Sequence, residues 1–350
     1  MNRANTRQIN VGGVLIGAGA PVTVQSMCST DTRSAEATLS QIRQLHAAGC
    51  DIVRVAVPDE TAARSLEKIC AESPLPVVAD IHFDYRLALA AVKAGAAKIR
   101  INPGNIGGED KVRAVADACG ANGVPIRIGV NAGSLEKRLL DKYGRPTAEA
   151  MAESAAGHIA LLDKMGFHDI CLSLKASSVP LTVEACRLAA ATFPYPLHLG
   201  VTEAGTVWGG TLRSAVGLGA LLFQGIGDTI RVSLTADPVE EVRAGIAILK
   251  EAGLRTGGVR FVSCPTCGRT QIDLVPIARK VEQRLSGLDK DITVAVMGCV
   301  VNGPGEARGA DFGLAGGRGE GVLFRRGEIV KKVPEDKLAD ELIALVEREA

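Results

Sequence analysis

HAAGCDIVRVAVPDE, residues 46–60, holds the junction from which the fold can be read. Its first part ends a helix-like stretch, and Gly49 supplies the left-handed stop that such a stretch needs. Asp51–Val57 is a β-branched run of strand length, and a second helix-like segment begins at Glu60. The same junction returns in VKAGAAKI (92–99) and DKMGFHDI (163–170). Strands are expected at Val22–Gln25, Asp51–Val57, Val77–Ile81, Lys98–Ile101, Ile126–Val130, Ile170–Leu174, Leu197–Val201 and Thr229–Leu234. Helical segments follow each of them, from Ser34–Ala48 to Pro238–Ala252. Eight strands alternating with eight helices over about 250 residues is the arithmetic of an α/β (β/α)8 TIM barrel. A doubly wound open sheet is the competing architecture, but it usually has fewer strands.

The pattern changes near residues 256–258. A short strand at Arg260–Ser263, a helix from Thr270 to Leu285 and a strand at Ile292–Met297 are expected, then a Gly-rich loop. Two antiparallel strands, Gly321–Arg325 and Glu328–Val333, turn at Arg326-Gly327, and an amphipathic helix runs from Pro334 to Arg348. The expected division is a barrel over residues 1–257 and a small α+β module over 258–350.

Composition narrows the function classes. The 350 residues carry 40 basic and 39 acidic side chains, which argues against a generic polyanion-binding surface but not against a local basic pocket. Aromatics are only 3%, too few for a platform that stacks single-stranded nucleic acid. The first ten residues, MNRANTRQIN, contain no apolar signal core, and no apolar run reaches the roughly 18 residues of a membrane span. A cytoplasmic, reducing location is the expectation. There the nine cysteines serve as core residues, metal ligands or catalysts rather than disulfides.

Barrel strands are buried on both faces and should be apolar. Four of these carry arginine: Arg54, Arg100, Arg127 and Arg231; a fifth carries Lys175. An unpaired buried cation costs several kcal/mol, so each needs a partner. Asp80, Asn102, Asn131 and Glu203 sit at or just past strand ends, where a barrel has its active-site mouth. Converging cations there make a pocket for a multiply charged anion. The competing account has each arginine bracing the barrel against a local carboxylate. His82 is expected to face the pocket, His198 to pack inside, and His46, His158 and His168 to lie on solvated surface. The sequence has no HExxH zinc motif and no GxSxG nucleophile elbow. Gly17-Ala18-Gly19 lacks the strand–loop–helix context of a dinucleotide fingerprint.

Cys264, Cys267 and Cys299 follow two expected strands of the second module. The other six cysteines share no ligand spacing and read as small core residues, with Cys28 at the end of the first strand. Structural zinc and iron–sulfur clusters normally take four ligands, and this module has no fourth Cys or His. The set therefore points to an open iron or to a fourth ligand of another kind. Glu306 is available for that place, behind Asn302-Gly303-Pro304-Gly305, whose glycines let a loop fold tightly back. A redox dithiol at Cys264 and Cys267 is the alternative, and it leaves Cys299 without a role.

Together VQSMCSTDT, IVRVAVPD, VADIHFD, KIRINPGNIG, IRIGVNAGSLE, LSLKAS, HLGVTEAG, TIRVSLTADP, SCPTCGRT and MGCVVNGPGEA resemble the 4-hydroxy-3-methylbut-2-enyl diphosphate synthase family of the methylerythritol phosphate route to isoprenoids. The likeness runs essentially end to end and matches the two-domain bacterial form. Cys28 stands where Thr is expected and Gly309 where an acidic residue is common. The resemblance implies an oxidoreductase whose [4Fe–4S] cluster is held by Cys264, Cys267, Cys299 and Glu306. It implies reductive ring opening and dehydroxylation of 2-C-methyl-D-erythritol 2,4-cyclodiphosphate, with electrons from a flavodoxin or ferredoxin. It implies that Arg54, Arg100, Arg127, Lys175, Arg231 and Ser233 hold the diphosphate. Asp80, His82, Asn131 and Thr202 would line the pocket, Glu203 would donate a proton, and Asn302 would touch substrate from the cluster side. It also implies a homodimer in which the cluster domain of one chain caps the barrel of the other. Two rival expectations stand beside it. One is a pterin-binding transferase barrel with a structural metal module. The other is an iron–sulfur redox sensor on nucleic acid, which the near-neutral charge disfavours.

Overall fold

The computed structural model describes residues 3–102, 105–299 and 309–350. The chain divides into two compact units, Met1–Arg255 and Thr256–Ala350. The first opens with an antiparallel hairpin, β1 (Ile9–Val11) and β2 (Val14–Ile16). The barrel strands follow: β3 (Thr23–Met27), β4 (Ile52–Ala56), β5 (Val77–Asp80), β6 (Lys98–Ile101), β7 (Ile126–Asn131), β8 (Ile170–Lys175), β9 (His198–Leu199) and β10 (Thr229–Ile230). All eight are parallel, in the order β8-β7-β6-β5-β4-β3-β10-β9, and a parallel bridge between Leu172 and Leu197 closes the ring. The expected TIM barrel is therefore present.

Helices α1 (Ala35–Ala47), α2 (Glu60–Glu72), α3 (Tyr85–Lys93), α4 (Glu109–Ala121), α5 (Lys137–Tyr143), α6 (Ala148–Asp163), α7 (Val179–Thr192), α8 (Val207–Leu222) and α9 (Pro238–Glu251) cover the strands. The local chemistry explains their ends. Asp59, Asp84, Thr147, Ser178 and Asp237 each accept a hydrogen bond from a first-turn amide. Gly49, Gly95 and Gly166 stand at φ 88°, 90° and 71°, so the helix–Gly–strand junction is a true left-handed stop. Leu39, Ile42, Leu66, Ile69 and Leu162 pack fully buried against strand residues such as Val53, Ile99 and Ile170. Each such side chain contributes on the order of 2 kcal/mol of burial.

Three features escape the sequence reading. The hairpin strands are only three residues long, too short for a periodicity signal. Their Ile9, Val11 and Ile16 pack with Ile52, Val78 and Cys171, plugging the N-terminal end of the barrel. Helix α5 stands apart from α6 because Gly144 at φ 71° breaks the helical run. His158, expected on solvated surface, is buried on α6, with Nε2 3.3 Å from Glu136 Oε1.

In the second unit, β11 (Val259–Ser263), β12 (Ile292–Met297), β13 (Phe312–Gly316), β14 (Glu320–Arg325) and β15 (Glu328–Pro334) form one sheet in sequence order. The first three are parallel and the last two antiparallel. Helices α10 (Leu274–Leu285) and α11 (Leu338–Glu349) pack on one face, where Val281, Leu342 and Val346 meet Val294, Leu314 and Leu323. Strand β13 lies in what reads as a Gly-rich loop. Its Gly313 is needed by packing, since a Cβ there would sit 2.3 Å from Phe324 Cζ and 2.6 Å from Ala295 O.

Candidate active site

The C-terminal strand ends of the barrel surround a cavity of about 150 Å³ that opens to solvent. Arg54, Asp80, His82, Arg100, Arg127, Asn131, Lys175, Thr202, Arg231 and Ser233 line it, joined by Gly129 and Ser173. Strand alternation explains the convergence. Arg127, Gly129 and Asn131 share one face of β7, as Ser173 and Lys175 share one face of β8.

The cations are only partly paired. Asp80 takes Arg100 Nη1 at 3.2 Å, Arg54 Nε at 3.8 Å and His82 Nε2 at 3.3 Å. Glu241, on α9, accepts from Arg231 Nε and Nη2 at 3.3 Å, from Leu234 N at 3.0 Å and from Ser26 Oγ at 3.2 Å. Arg54 also points Nε and Nη2 at Met27 Sδ, 3.0 and 2.7 Å away. Arg127 and Lys175 have no carboxylate partner among the described residues. Five cations against two carboxylates leave a formal excess of three positive charges at the mouth.

That excess shifts the ionisations. Burial, then Arg100, pushes the Arg127 guanidinium down to about 10. Burial, with Arg127, Arg231 and Arg54 beside it, drives Lys175 well below the ordinary lysine range. Burial also lowers Arg54, against the pull of Asp80. For Asp80, burial favours the neutral acid, but Arg54, His82 and Arg100 outweigh it and hold the carboxyl well below the usual range. A site that disfavours its own cations when empty is poised for an anion.

Two glycines clear the space. A Cβ on Gly129 would lie 2.8 Å from Arg100 Nε, and one on Gly200 would lie 2.5 Å from Lys175 Nζ and 2.7 Å from Arg231 O. Glu203 is not among the lining residues. It is exposed in the segment after β9, next to the lining residue Thr202, at φ 53°. A glutamate in that region is strained, and such strain concentrates where a side chain must be aimed. Ser173, Gly129, Gly200 and Glu241 were not singled out from sequence. Only Ser173 left a signal there, two residues before Lys175 on the same strand face.

Cys264 and Cys299 lie just beyond the paired strands β11 and β12. Cys264 Sγ accepts a hydrogen bond from Gly298 N at 3.1 Å, and Gln271 N donates to Gly298 O at 2.9 Å, tying the CPTC loop to the end of β12. The Arg269 amide and guanidinium lower the exposed Cys267 thiol below its usual range. All three thiols are free. Asn302 and Glu306 lie outside the described residues, and among the described residues no three Cys, His, Asp or Glu side chains converge as a metal site. The donor chemistry nevertheless suits an iron–sulfur cluster: free thiols at adjacent strand ends, one receiving an amide N–H and one with a stabilised thiolate. The barrel cysteines behave differently. Burial pushes Cys28, Cys119 and Cys186 up to about 12, as inert packing residues.

A family model described as the GcpE TIM-barrel domain matches residues 6–246, and one described as the GcpE protein C-terminal domain matches residues 260–348. The 4-hydroxy-3-methylbut-2-en-1-yl diphosphate synthase (flavodoxin) of Geobacter sulfurreducens is 63% identical over 346 residues, covering 99% of this chain and 98% of the relative. The chain belongs to the 4-hydroxy-3-methylbut-2-enyl diphosphate synthase family. The Clostridium perfringens synthase of the same name is 58% identical, with 99% of each chain covered. Membership in this synthase family makes the chain an oxidoreductase of isoprenoid biosynthesis. The Yersinia pestis dihydropteroate synthase, solved with a sulfonamide drug, matches at TM-score 0.51 and 13% identity, covering 71% of this chain and all of that one. That likeness shows the barrel fold alone, and the pterin-transferase alternative has no further support. No helix among the described residues is long and apolar enough to cross a membrane.

Proposed function

We propose that the chain reduces 2-C-methyl-D-erythritol 2,4-cyclodiphosphate to (E)-4-hydroxy-3-methylbut-2-enyl diphosphate, with two electrons from a flavodoxin or ferredoxin. The carrying observation is the barrel mouth, where five cations converge and two of them lack a carboxylate partner among the described residues. Arg54, Arg100, Arg127, Lys175 and Arg231 hold the diphosphate, with Ser233 adding a hydroxyl. Arginine suits this task because its planar fork can bind two phosphate oxygens at once. The same cations neutralise the phosphate freed when the ring opens, which favours that bond cleavage. Asp80 keeps Arg54 and Arg100 aimed, and Asn131, Thr202 and His82 border the carbon skeleton. Glu203 donates the proton with which the departing oxygen leaves as water, and Asn302 meets the substrate from the cluster side.

Cys264, Cys267, Cys299 and Glu306 would hold a [4Fe–4S] cluster, which supplies the electrons singly. A carboxylate in the fourth place is a more exchangeable ligand than a thiolate. The family's homodimer, with the cluster domain of one chain over the barrel of its partner, completes the proposed site. The test is anaerobic incubation of the iron–sulfur-loaded protein with the cyclodiphosphate and a reduced one-electron donor, followed by phosphorus NMR. Conversion to the linear diphosphate is expected. Unchanged cyclodiphosphate with an intact cluster and a competent donor would refute the proposal.

A further inference from the structure

Beneath the mouth, the barrel interior is polar where such barrels are normally filled with branched aliphatics. The strand register sorts the inward side chains into layers. Gln25, Val78, Arg127 and His198 make one layer, and Ile52, Lys98, Cys171 and Thr229 make the next one down. Below them, Ile9, Val11 and Ile16 of the hairpin seal the barrel against Ile52, Val78 and Cys171. Lys98 and His198 are 0% exposed, and Gln25 and Arg127 are 1% exposed.

These four side chains leave polar atoms without partners. Lys98 Nζ, Arg127 Nε and Nη1, His198 Nε2 and both amide atoms of Gln25 are fully buried and make no hydrogen bond among the described residues. Donors predominate. The ammonium has three N–H groups, and the buried guanidinium edge and the amide add more. The acceptors are Gln25 Oε1, the hydroxyls of Thr23 and Thr229, and the weakly accepting Cys171 thiol, fewer than the donors they face. The groups that perturb Lys98 are Cys171, Arg127 and Arg54, and none is a carboxylate. His198 is set among Lys175, Arg127, Lys98 and Arg54, and burial with these cations keeps it neutral. Its Nδ1 lies 3.4 Å from Thr229 Oγ1; with that hydroxyl donating to Nδ1, the neutral ring carries its one N–H on the unpartnered, buried Nε2. Asp80, the carboxylate on the neighbouring strand, is already engaged by Arg54, Arg100 and His82.

We propose that this sealed stretch of the barrel axis binds a small inorganic anion of halide size, held by Lys98, the buried edge of Arg127, Gln25 Nε2 and His198 Nε2. A second anion there answers both deficits at once: acceptors for the orphaned donors and negative charge for two buried cations. It also explains how a lysine whose ammonium burial pushes down to about 8 is retained inside a barrel. The site is separate from the substrate pocket. Arg127 is the wall between them, which makes the lower anion an electrostatic support for the mouth above.

Bromide serves as the probe. Crystals of the full chain grown with bromide as the sole halide should show an anomalous peak within about 3.5 Å of Lys98 Nζ. Water alone at that place would overturn the proposal. In solution, the full chain dialysed free of halide should gain about 3 °C in melting temperature when sodium bromide replaces sodium gluconate at equal ionic strength. The Lys98→Met variant, which keeps the side chain's length, should lose that gain. No bromide-specific gain in the wild type, or an equal gain in Lys98→Met, would refute the site. Should Lys98→Met fail to fold, the wild-type crystal and melting data decide the matter.

Discussion

In halide-free buffer, replacing Arg127 with methionine should make the empty protein more stable and the substrate complex weaker. Arg127 is 1% exposed, has no carboxylate partner among the described residues, and faces Arg100 and Arg231. Burial and these neighbours lower its pKa from the ordinary arginine value, more than two units higher, to about 10. At about 1.4 kcal/mol per tenfold, the folded protein works against this charge by on the order of 3 kcal/mol. Methionine removes the charge and keeps most of the side-chain volume. For a chain of this size the change corresponds to a rise of about 3–6 °C in the melting temperature of the empty protein. The same substitution removes charge-assisted hydrogen bonds to the diphosphate, each worth about 1.5–3 kcal/mol, so affinity should fall about tenfold to a few hundredfold. Scanning fluorimetry with and without the cyclodiphosphate reads both effects. The variant's curve should start above the wild type's and move less with ligand. A destabilised empty variant, or an undiminished ligand shift, would refute the reasoning that the mouth is held in electrostatic tension for its anion.

Other outcomes follow from the same geometry. Gly200→Ala places a methyl 2.5 Å from Lys175 Nζ and 2.7 Å from the Arg231 carbonyl, so KM should rise at least tenfold. Gly209→Ala, whose Cβ meets nothing within 4 Å, should leave KM unchanged, and equal effects would show that crowding at Lys175 is irrelevant. Burial raises the Asp228 carboxyl to about 6, so its protonated form stabilises the fold below the unfolded value near 3.8. That stability is lost as pH climbs through 6, by up to about 3 kcal/mol. Asp228→Asn should therefore gain stability relative to wild type between pH 4.5 and 7.5, and a pH-independent difference would contradict this. Cys264→Ser should lose iron and acid-labile sulfide after anaerobic reconstitution; a full complement of both would remove Cys264 from the ligand set.

The site was legible where residues break a local rule. Arginine in a β-branched run such as IVRVAV has no packing reason to be there, so Arg54 and its counterparts declared themselves. Gly129 and Gly200 could not, because their contribution is the absence of a side chain beside Arg100 and Lys175. Glu241 is indistinguishable in sequence from its exposed-helix neighbour Glu240, and only the fold turns it inward to Arg231. His158 misled for the opposite reason: α6 is apolar on most of its faces, so a polar residue there gave no sign of being buried. The hairpin and β13 were lost because three-residue strands and glycine-bearing strands carry little periodicity, and pairing on both sides makes β13 a strand.

The most direct test is a crystal structure of the anaerobically prepared full chain with the cyclodiphosphate bound. Its phosphate oxygens should lie about 2.7–3.0 Å from nitrogens of Arg54, Arg100, Arg127, Lys175 and Arg231 at the barrel mouth. A diphosphate seated elsewhere, or one touching none of the two unpaired cations Arg127 and Lys175, would contradict the account.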